Sequence, residues 1–391
     1  MAPPPPAPVR AAAARLLLRR IAARARVRVT APGFAFGPND APVLEVHHVD
    51  RFLTRIGVDG KIGFGEAFMA GDWSAPDLVA VLEAMARNLT SLVPRPLQRL
   101  RAWYDARPPA AEDNDPRGAR RNIARHYDLS NDLFAAFLDE TMSYSSALFA
   151  GDDEPLAAAQ ARKVERLLDQ THVTAGSTVL EIGTGWGELA LRAARRGAKV
   201  TSVTLSEEQA RLARERVAAA GLGDLVDIRV QDYRDVTGRY DAVVSVEMIE
   251  AVGERWWPTY FRTLDERLAP QGRVGLQAIL IAHARMLATR TSWTWIHKYI
   301  FPGGLIPSEE AITATLDAHT SLHIVDRHRF GSSYAATLRR WRERFTANAD
   351  IVEALGFDQT FRRMWTFYLA YCEAGFRAGY LDVGQFVFAR S

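Results

Sequence analysis

Two hydrophobic rhythms run along the chain. In its second half, short apolar runs at Val179-Leu180-Glu181-Ile182, Ala198 to Thr204 and Asp241 to Val246 read as strands, with Ala/Leu-rich helical stretches from Leu189 and after Ser206 between them. Strands alternating with helices predict an α/β fold, a mostly parallel sheet flanked by helices. In the first quarter the rhythm is shorter. Val27-Arg28-Val29-Thr30 and Val43-Leu44-Glu45-Val46 read as strands and Val49 to Ile56 as a helix. Phe64 to Trp73 reads as a strand-and-helix unit, and a helix opened by Ser74 to Asp77 runs to Asn88. This pattern predicts a small N-terminal α+β domain over residues 1–104. A linker over 105–118, with three prolines and scattered charges, leads to the larger domain over 119–391.

Ahead of the first strand lies a Pro-rich octapeptide, then an Ala/Leu/Arg helix over Val9 to Arg28. Leu17, Leu18 and Ile21 share one sector of its projection, closely bordered by Arg20, Arg24 and Arg28. Residues 1–28 hold seven arginines and no acid, whereas the whole chain is net +3, so the basic character is local. Such a helix can lie on anionic lipid headgroups, or it can be a solvated helix covering part of its own domain. Both readings stay open, with a mitochondrial-type presequence as a third.

Composition narrows the class. A chain of 391 residues with ordinary apolar and charged fractions has material for two domains. Cys372 is its single cysteine, so neither an intrachain disulfide nor a thiolate zinc cluster can form. Nine histidines without H-E-x-x-H spacing imply no metal. No apolar run reaches membrane-span length. The expectation is a cytoplasmic enzyme, peripheral at the inner face of a membrane, with no nucleic-acid partner and with self-association into a homo-oligomer left open.

The strand ending at Ile182 runs into Gly183-Thr184-Gly185-Trp186-Gly187. Glycines let the backbone turn and a ligand approach, and the next helix offers free N–H groups at its start. A nucleotide-type pocket is therefore expected. A dinucleotide fingerprint would need a third glycine at position 188, where Glu188 stands, and the strand Ala198 to Thr204 lacks an acidic tip. The G-x-G-x-G spacing with Glu181 two residues before it resembles motif I of class I methyltransferases, which bind S-adenosylmethionine.

A second set of residues sharpens the resemblance. Arg121 to Phe134 contains His126-Tyr127-Asp128, Asn131-Asp132 and Phe134, and Met142-Ser143-Tyr144-Ser145-Ser146 follows. With Gln231-Asp232-Tyr233, Met248-Ile249-Glu250-Ala251-Val252-Gly253, Lys298 to Gly304, and Phe330-Gly331 before Tyr334, the chain resembles the cyclopropane-fatty-acyl-phospholipid synthase family over residues 121–391. The resemblance implies a class I methyltransferase (Rossmann-like) fold and methylation of double bonds in lipid acyl chains. It implies a cofactor site at Tyr144, Ser145, Glu181, Gly183, Gly185, Gly187, Thr204, Leu205, Gln209, Asp232 and Tyr233. For Gln209 a capping box with Ser206 is an alternative that can coexist with ligand contact, and for Tyr233 the alternative is a core aromatic at a strand end.

In that family a bicarbonate ion serves as the base, held by a cysteine, a glutamate, a histidine and a tyrosine. The corresponding residues here are Ser146, Glu250, Gln277 and Tyr334, so two of the four side chains differ. Glu250, at the carboxyl edge after the strand Asp241 to Val246, is the leading catalytic candidate. Glu247 adds a carboxylate that should oppose binding of an anion. These departures place bicarbonate and a cyclopropane product in doubt and bring the chain nearer the branch that makes 10-methylene chains. That product arises when a hydride shift precedes proton loss from the new methyl. Saturation to a 10-methyl chain would need a separate reductase, since no dinucleotide fingerprint is present. Cyclopropanation is the alternative, and a lipid-surface binding protein with a non-catalytic pocket is the alternative from outside the enzyme class. The aromatic segment Trp293 to Phe301, with Trp256, Trp257, Trp341, Trp365, Phe367 and Tyr368, offers apolar surface for an acyl channel, or simply core.

Overall fold

A computed structural model describes residues 1–88, 114, 115, 118, 119, 121, 122 and 130–390. Apart from Asn114, Asp115 and Gly118, the linker over 105–118 lies outside the described residues, as do His126, Tyr127 and Asp128. The chain divides into two compact units: Met1–Arg107 with Ser292–Ile300 and Leu338–Tyr380, and Pro108–Thr291 with Phe301–Thr337 and Leu381–Ser391.

In the first unit, β1 (Arg28–Ala31), β2 (Phe34–Phe36), β3 (Val43–Val46) and β4 (Trp73–Ser74) form a sheet of order β2-β1-β3-β4, in which only β1 and β3 run parallel. The helix Pro8–Ala25 starts on a proline that needs no N–H partner and buries Ala14, Leu18, Ala22 and Ala25. Its buried sector is thus centred on Leu18 and small alanines, while Leu17 and Leu16 are exposed. Small residues let this helix come close to the helix Val49–Met69, where a Cβ on Gly57 would stand 2.5 Å from the Arg10 carbonyl oxygen. The basic segment therefore does cover part of its own unit, with Arg15, Arg19, Arg20 and Arg24 on its exposed surface.

The helix expected to end near Ile56 continues to Met69 with a break at Gly60 (φ 54°, ψ −121°), so Phe64 to Met69 is helical and the strand comes only at Trp73. Trp73 packs against Phe64 and Phe68, with centroid distances of 4.5 and 5.0 Å, and Phe367 lies 4.8 Å from Trp295. This aromatic core explains why segments late in the chain belong to the first unit. Trp295, Trp341, Trp365, Phe367 and Tyr368 are buried core residues there. Asp72 pairs with Arg55 at 2.9 Å, and Glu66 accepts from Lys298 Nζ at 2.5 Å and Tyr299 Oη at 2.7 Å.

The second unit holds a seven-stranded sheet built from β5 (Thr178–Ile182), β6 (Lys199–Thr204), β7 (Val226–Val230), β8 (Tyr240–Val246), β9 (Leu268–Ile281), β10 (Leu322–Arg329) and β11 (Leu381–Arg390). Their order is β10-β11-β9-β8-β5-β6-β7; β9, β8, β5, β6 and β7 are parallel, and β11 runs against both its neighbours. Alternation along each strand feeds two cores. Leu180 and Val243 join one around Trp257, Tyr260 and Phe261, whereas Val179, Ala242 and Val244 join the other around Leu167, Leu189 and Ala213. The chain leaves β5 in one direction toward β6 and returns on its other side as β8, so a crevice opens at the carboxyl ends of β5 and β8.

The buried face of the first helix carries a stability prediction. Leu18→Ala should cost about 2–4 kcal/mol in urea unfolding, from lost transfer energy and a residual cavity. Leu16→Ala, at a residue 71% exposed, should stay within about 0.5 kcal/mol.

Candidate active site

The cavity at this crevice is lined by Tyr144, Ser145, Glu181, Gly183, Gly185, Thr204, Leu205, Gln209, Asp232 and Tyr233, joined by Lys163, Trp186, Glu247 and Met248. Most come from strand ends or from the segment before the sheet, and Gln209 comes from the first turn of the helix Glu207–Ala219. At Gly185 φ is 52° and nothing stands within 4 Å of where a Cβ would be, which leaves the turn open to a ligand. Gly187 is not among the lining residues. Its φ of 89° opens the helix Glu188–Arg195, and an added Cβ would meet the Cβ of Ala213 at 3.1 Å, so this glycine serves helix packing.

The polar groups around the cavity are individually held. Glu181 is buried and accepts from Ser202 Oγ at 2.5 Å; loss of hydration pushes its carboxyl up to about 8. Ser206 caps the helix Glu207–Ala219 by accepting the Gln209 N–H, while Gln209 Oε1 accepts from Thr204 Oγ1 at 3.0 Å. Capping thus falls to Ser206, and the Gln209 side chain is directed to the strand end. Asp232 is gripped by Arg234 through Nε at 2.8 Å and a second guanidinium nitrogen at 2.6 Å. Tyr233 lies edge-on to Tyr260 at 5.5 Å and is both core aromatic and lining residue; burial pushes its hydroxyl up to about 12. Trp186 donates its indole N–H to Asn131 Oδ1 at 2.7 Å.

Lys163 escaped sequence reasoning. Its Nζ donates to Ser145 Oγ at 2.6 Å, and burial pushes the ammonium down to about 8. The available signal was its place on the buried stripe of the helix Leu156–Gln170, beside Gln160, Val164 and Leu167.

Of the four residues the resemblance assigns to the reacting centre, three converge, and they converge on a fifth. Glu247 Oε1 accepts the Ser146 backbone N–H at 2.9 Å and Gln277 Nε2 at 2.8 Å, while Oε2 accepts the Tyr334 hydroxyl at 2.7 Å. The Ser146 hydroxyl is turned away and donates to the Ala147 carbonyl at 2.9 Å. Glu250 stands one turn on: its Oε1 accepts the Ile279 N–H at 2.5 Å, and its Oε2 is enclosed without a hydrogen-bond partner among the described residues. Burial first, then the neighbouring Glu247, pushes Glu250 up to about 8. Burial also raises Glu247, against the pull of its three donors and of Lys163.

The family model for mycolic acid cyclopropane synthetase matches residues 114–386. The chain belongs to that family. Among family relatives, a tuberculostearic acid methyltransferase of Mycobacterium tuberculosis is 56% identical over 99% of this chain and 93% of its own length. A cyclopropane-fatty-acyl-phospholipid synthase of Escherichia coli is 35% identical over 87% of this chain and 86% of its own length. A solved cyclopropane synthase of Mycobacterium tuberculosis superposes with a TM-score of 0.64 at 29% identity, covering 69% of this chain and 98% of that one. A solved mycolic acid cyclopropane synthase complexed with SAH and CTAB gives the same score and identity, covering 69% of this chain and 97% of that one. The expected class I methyltransferase fold is the observed one, and the protein is an S-adenosylmethionine-dependent methyltransferase.

Two predictions follow from the cavity. Gly185→Val puts a β-branched side chain into open space at a left-handed φ, and calorimetry should show loss of S-adenosylmethionine binding in a folded protein. Glu181, mostly protonated at pH 7 because its carboxyl is pushed up to about 8, should ionise beside the cationic cofactor. Binding should therefore release protons and strengthen as pH rises from 6 to 8, with a heat that depends on buffer ionisation; Glu181→Gln should remove that dependence.

Proposed function

We propose that this methyltransferase acts on a double-bond carbon of an unsaturated phospholipid acyl chain such as oleoyl and leaves a methylene-branched chain, the precursor of a 10-methyl fatty acid. The observation that carries this reading is the 56% identity, over 99% of the chain, to a protein described as a tuberculostearic acid methyltransferase. When bound, S-adenosylmethionine supplies an electrophilic methyl group. The residues proposed to hold it are Tyr144, Ser145, Glu181, Gly183, Gly185, Thr204, Leu205, Gln209, Asp232 and Tyr233, with Gly187 setting the helix behind them.

An isolated alkene is a weak nucleophile, so the protein's part is alignment and exclusion of water. Trp186, Leu189, Val203 and Met248 supply apolar lining suited to that task. The positive charge that develops on the chain carbons is stabilised by a carboxylate in a poorly hydrated site, and Glu247 and Glu250 with Tyr334, Gln277 and Ser146 form that region. Cyclopropanation is the second reading, favoured by the relative from Escherichia coli. Incubation with labelled S-adenosylmethionine and dioleoyl phospholipid, then mass spectrometry of released acyl chains, tests the proposal. An exocyclic methylene product is expected; a cyclopropane ring without it would establish the second reading, and absence of any methylated lipid would refute both. A separate reductase would complete saturation.

Among the described residues no helix is long and apolar enough to cross a membrane. Access to phospholipid is proposed through peripheral contact by the outward face of the helix Pro8–Ala25, where Val9, Leu16, Arg20 and Arg24 are exposed. Arg20→Glu with Arg24→Glu should weaken sedimentation with phosphatidylserine vesicles and flatten its salt dependence, at about 1 kcal/mol per cation removed. Unchanged binding would leave this helix a purely structural element.

A further inference from the structure

Resting on the methyl-transfer reading above, we infer that the side chain of Glu247 is the proton acceptor of the reaction, built into the place where Ser146, Gln277 and Tyr334 would otherwise have to hold a free anion such as bicarbonate. The donors present do not fit a separate anion. The Ser146 N–H, Gln277 Nε2 and the Tyr334 hydroxyl are all directed at the two oxygens of Glu247, and the Ser146 hydroxyl is committed to the Ala147 carbonyl. The remaining Gln277 amide hydrogen faces the Ser146 carbonyl at 3.3 Å. A second anion beside Glu247 would meet a like charge and donors already engaged.

The amide orientation that makes this possible is dictated from a distance. Arg166 has only donors, and it gives one to Gln385 Oε1 at 3.0 Å. Gln385 must then present its NH2, which it donates to Gln277 Oε1 at 3.1 Å across paired positions of β11 and β9. Gln277 is left with its own NH2 toward Glu247. The backbone agrees with this arrangement: Glu247 is the residue after β8, its N–H bonds to the Gln277 carbonyl at 2.8 Å, and a φ of 50° directs its side chain back into the cavity.

Glu247 rather than Glu250 carries the charge of the pair. Three donors, two of them side chains, converge on Glu247, whereas among the described residues Glu250 has only backbone N–H groups, that of Ile279 and its own, and Glu247 alone of the two lines the cavity. Between its oxygens, Oε1 is bound by two N–H groups that cannot reverse, whereas Oε2 faces a hydroxyl that can rotate from donor to acceptor. Oε2 is therefore the accepting atom. In the balanced step, the alkene π pair forms the new C–C bond as the S–CH3 bond breaks and its pair passes to sulfur. The positive charge left on the neighbouring carbon moves to the methyl-bearing carbon when a hydride shifts the other way. A methyl C–H bond then breaks, its pair becomes the exocyclic C=C, and the proton passes to Glu247 Oε2.

The test uses the full chain with two variants of Glu247. Glu247→Gln keeps the size and the acceptor for Tyr334 but removes the base, and should lower product formation by about a hundredfold with S-adenosylmethionine affinity unchanged. Glu247→Gly suits the left-handed φ and frees all three donors; its turnover should be lost in bicarbonate-free buffer and return on addition of bicarbonate, whereas the unsubstituted enzyme should be indifferent to bicarbonate. Titration of the S-adenosylhomocysteine-loaded proteins with 13C-bicarbonate, read by NMR, gives an arm independent of turnover: binding to Glu247→Gly and none to the parent. Absence of any methylated lipid from the parent would refute the proposed function while this arm still decides the anion site. Bicarbonate binding by the parent, a bicarbonate requirement, failure of Glu247→Gly to bind the ion, or a larger loss in Glu250→Gln than in Glu247→Gln would each overturn the inference.

Discussion

A carboxylate placed at the inner end of a parallel strand has to find donors within the fold, and much of the second unit's polar architecture meets that demand at Glu247. Its partners come from the segment before the sheet, from β9 and from the helix that follows β10. Behind them, Gln277 and Gln385 face each other in the register of β9 and β11, and Arg166 closes the row. Leaving any one of these groups without its partner would expose a buried polar atom at a cost of about 1–3 kcal/mol. The antiparallel insertion of β11 beside β9 is thus coupled through hydrogen bonds to Glu247 at the end of β8, two places along the sheet.

The same demand separates the two glutamates. Burial raises both carboxyls, and two charges a turn apart cannot both remain ionised cheaply. Donors decide the outcome: Glu247 collects three, while the Glu250 Oε2 is enclosed without a partner among the described residues. A neutral Glu250 then contributes stability that is present below its unfolded pKa and lost as pH rises through about 8. Glu181, near the end of the neighbouring strand β5, obeys the same sign.

How far the sequence discloses this depends on whether an interaction is local. The turn after β5, the Ser206 cap and the strands of the central sheet are decided by residues within a few positions of one another, and these are legible. The break at Gly60, the helical rather than extended Phe64 to Met69, and the return of Trp295 and Phe367 to the core around Trp73 depend on contacts between distant segments, which periodicity does not record. Family resemblance brought Ser146, Gln277, Glu250 and Tyr334 forward, but not the fact that a neighbouring glutamate takes their donors. At positions 247 and 163 the sequence did hold a sign, a charge where the local pattern calls for an apolar or small residue.

A base tethered to the backbone differs from a diffusible anion in where it can act. Ring closure and methylene formation share the methyl transfer and the breaking of a methyl C–H bond; they differ in whether the proton leaves directly from the first cation or only after a hydride shift. A free anion can be set wherever its donors leave room, so it can lie against the methyl from the first moment of charge. On the inference above, the carboxylate of Glu247 is confined by two N–H groups on Oε1 and accepts with Oε2, whose charge is held by the Tyr334 hydroxyl until that hydroxyl turns. That reorientation gives the cation an interval before deprotonation, and a hydride shift toward the more substituted, more stable cation needs only such an interval. The replacement of a held anion by a held side chain is therefore a physical route from cyclopropane to methylene chemistry on one fold.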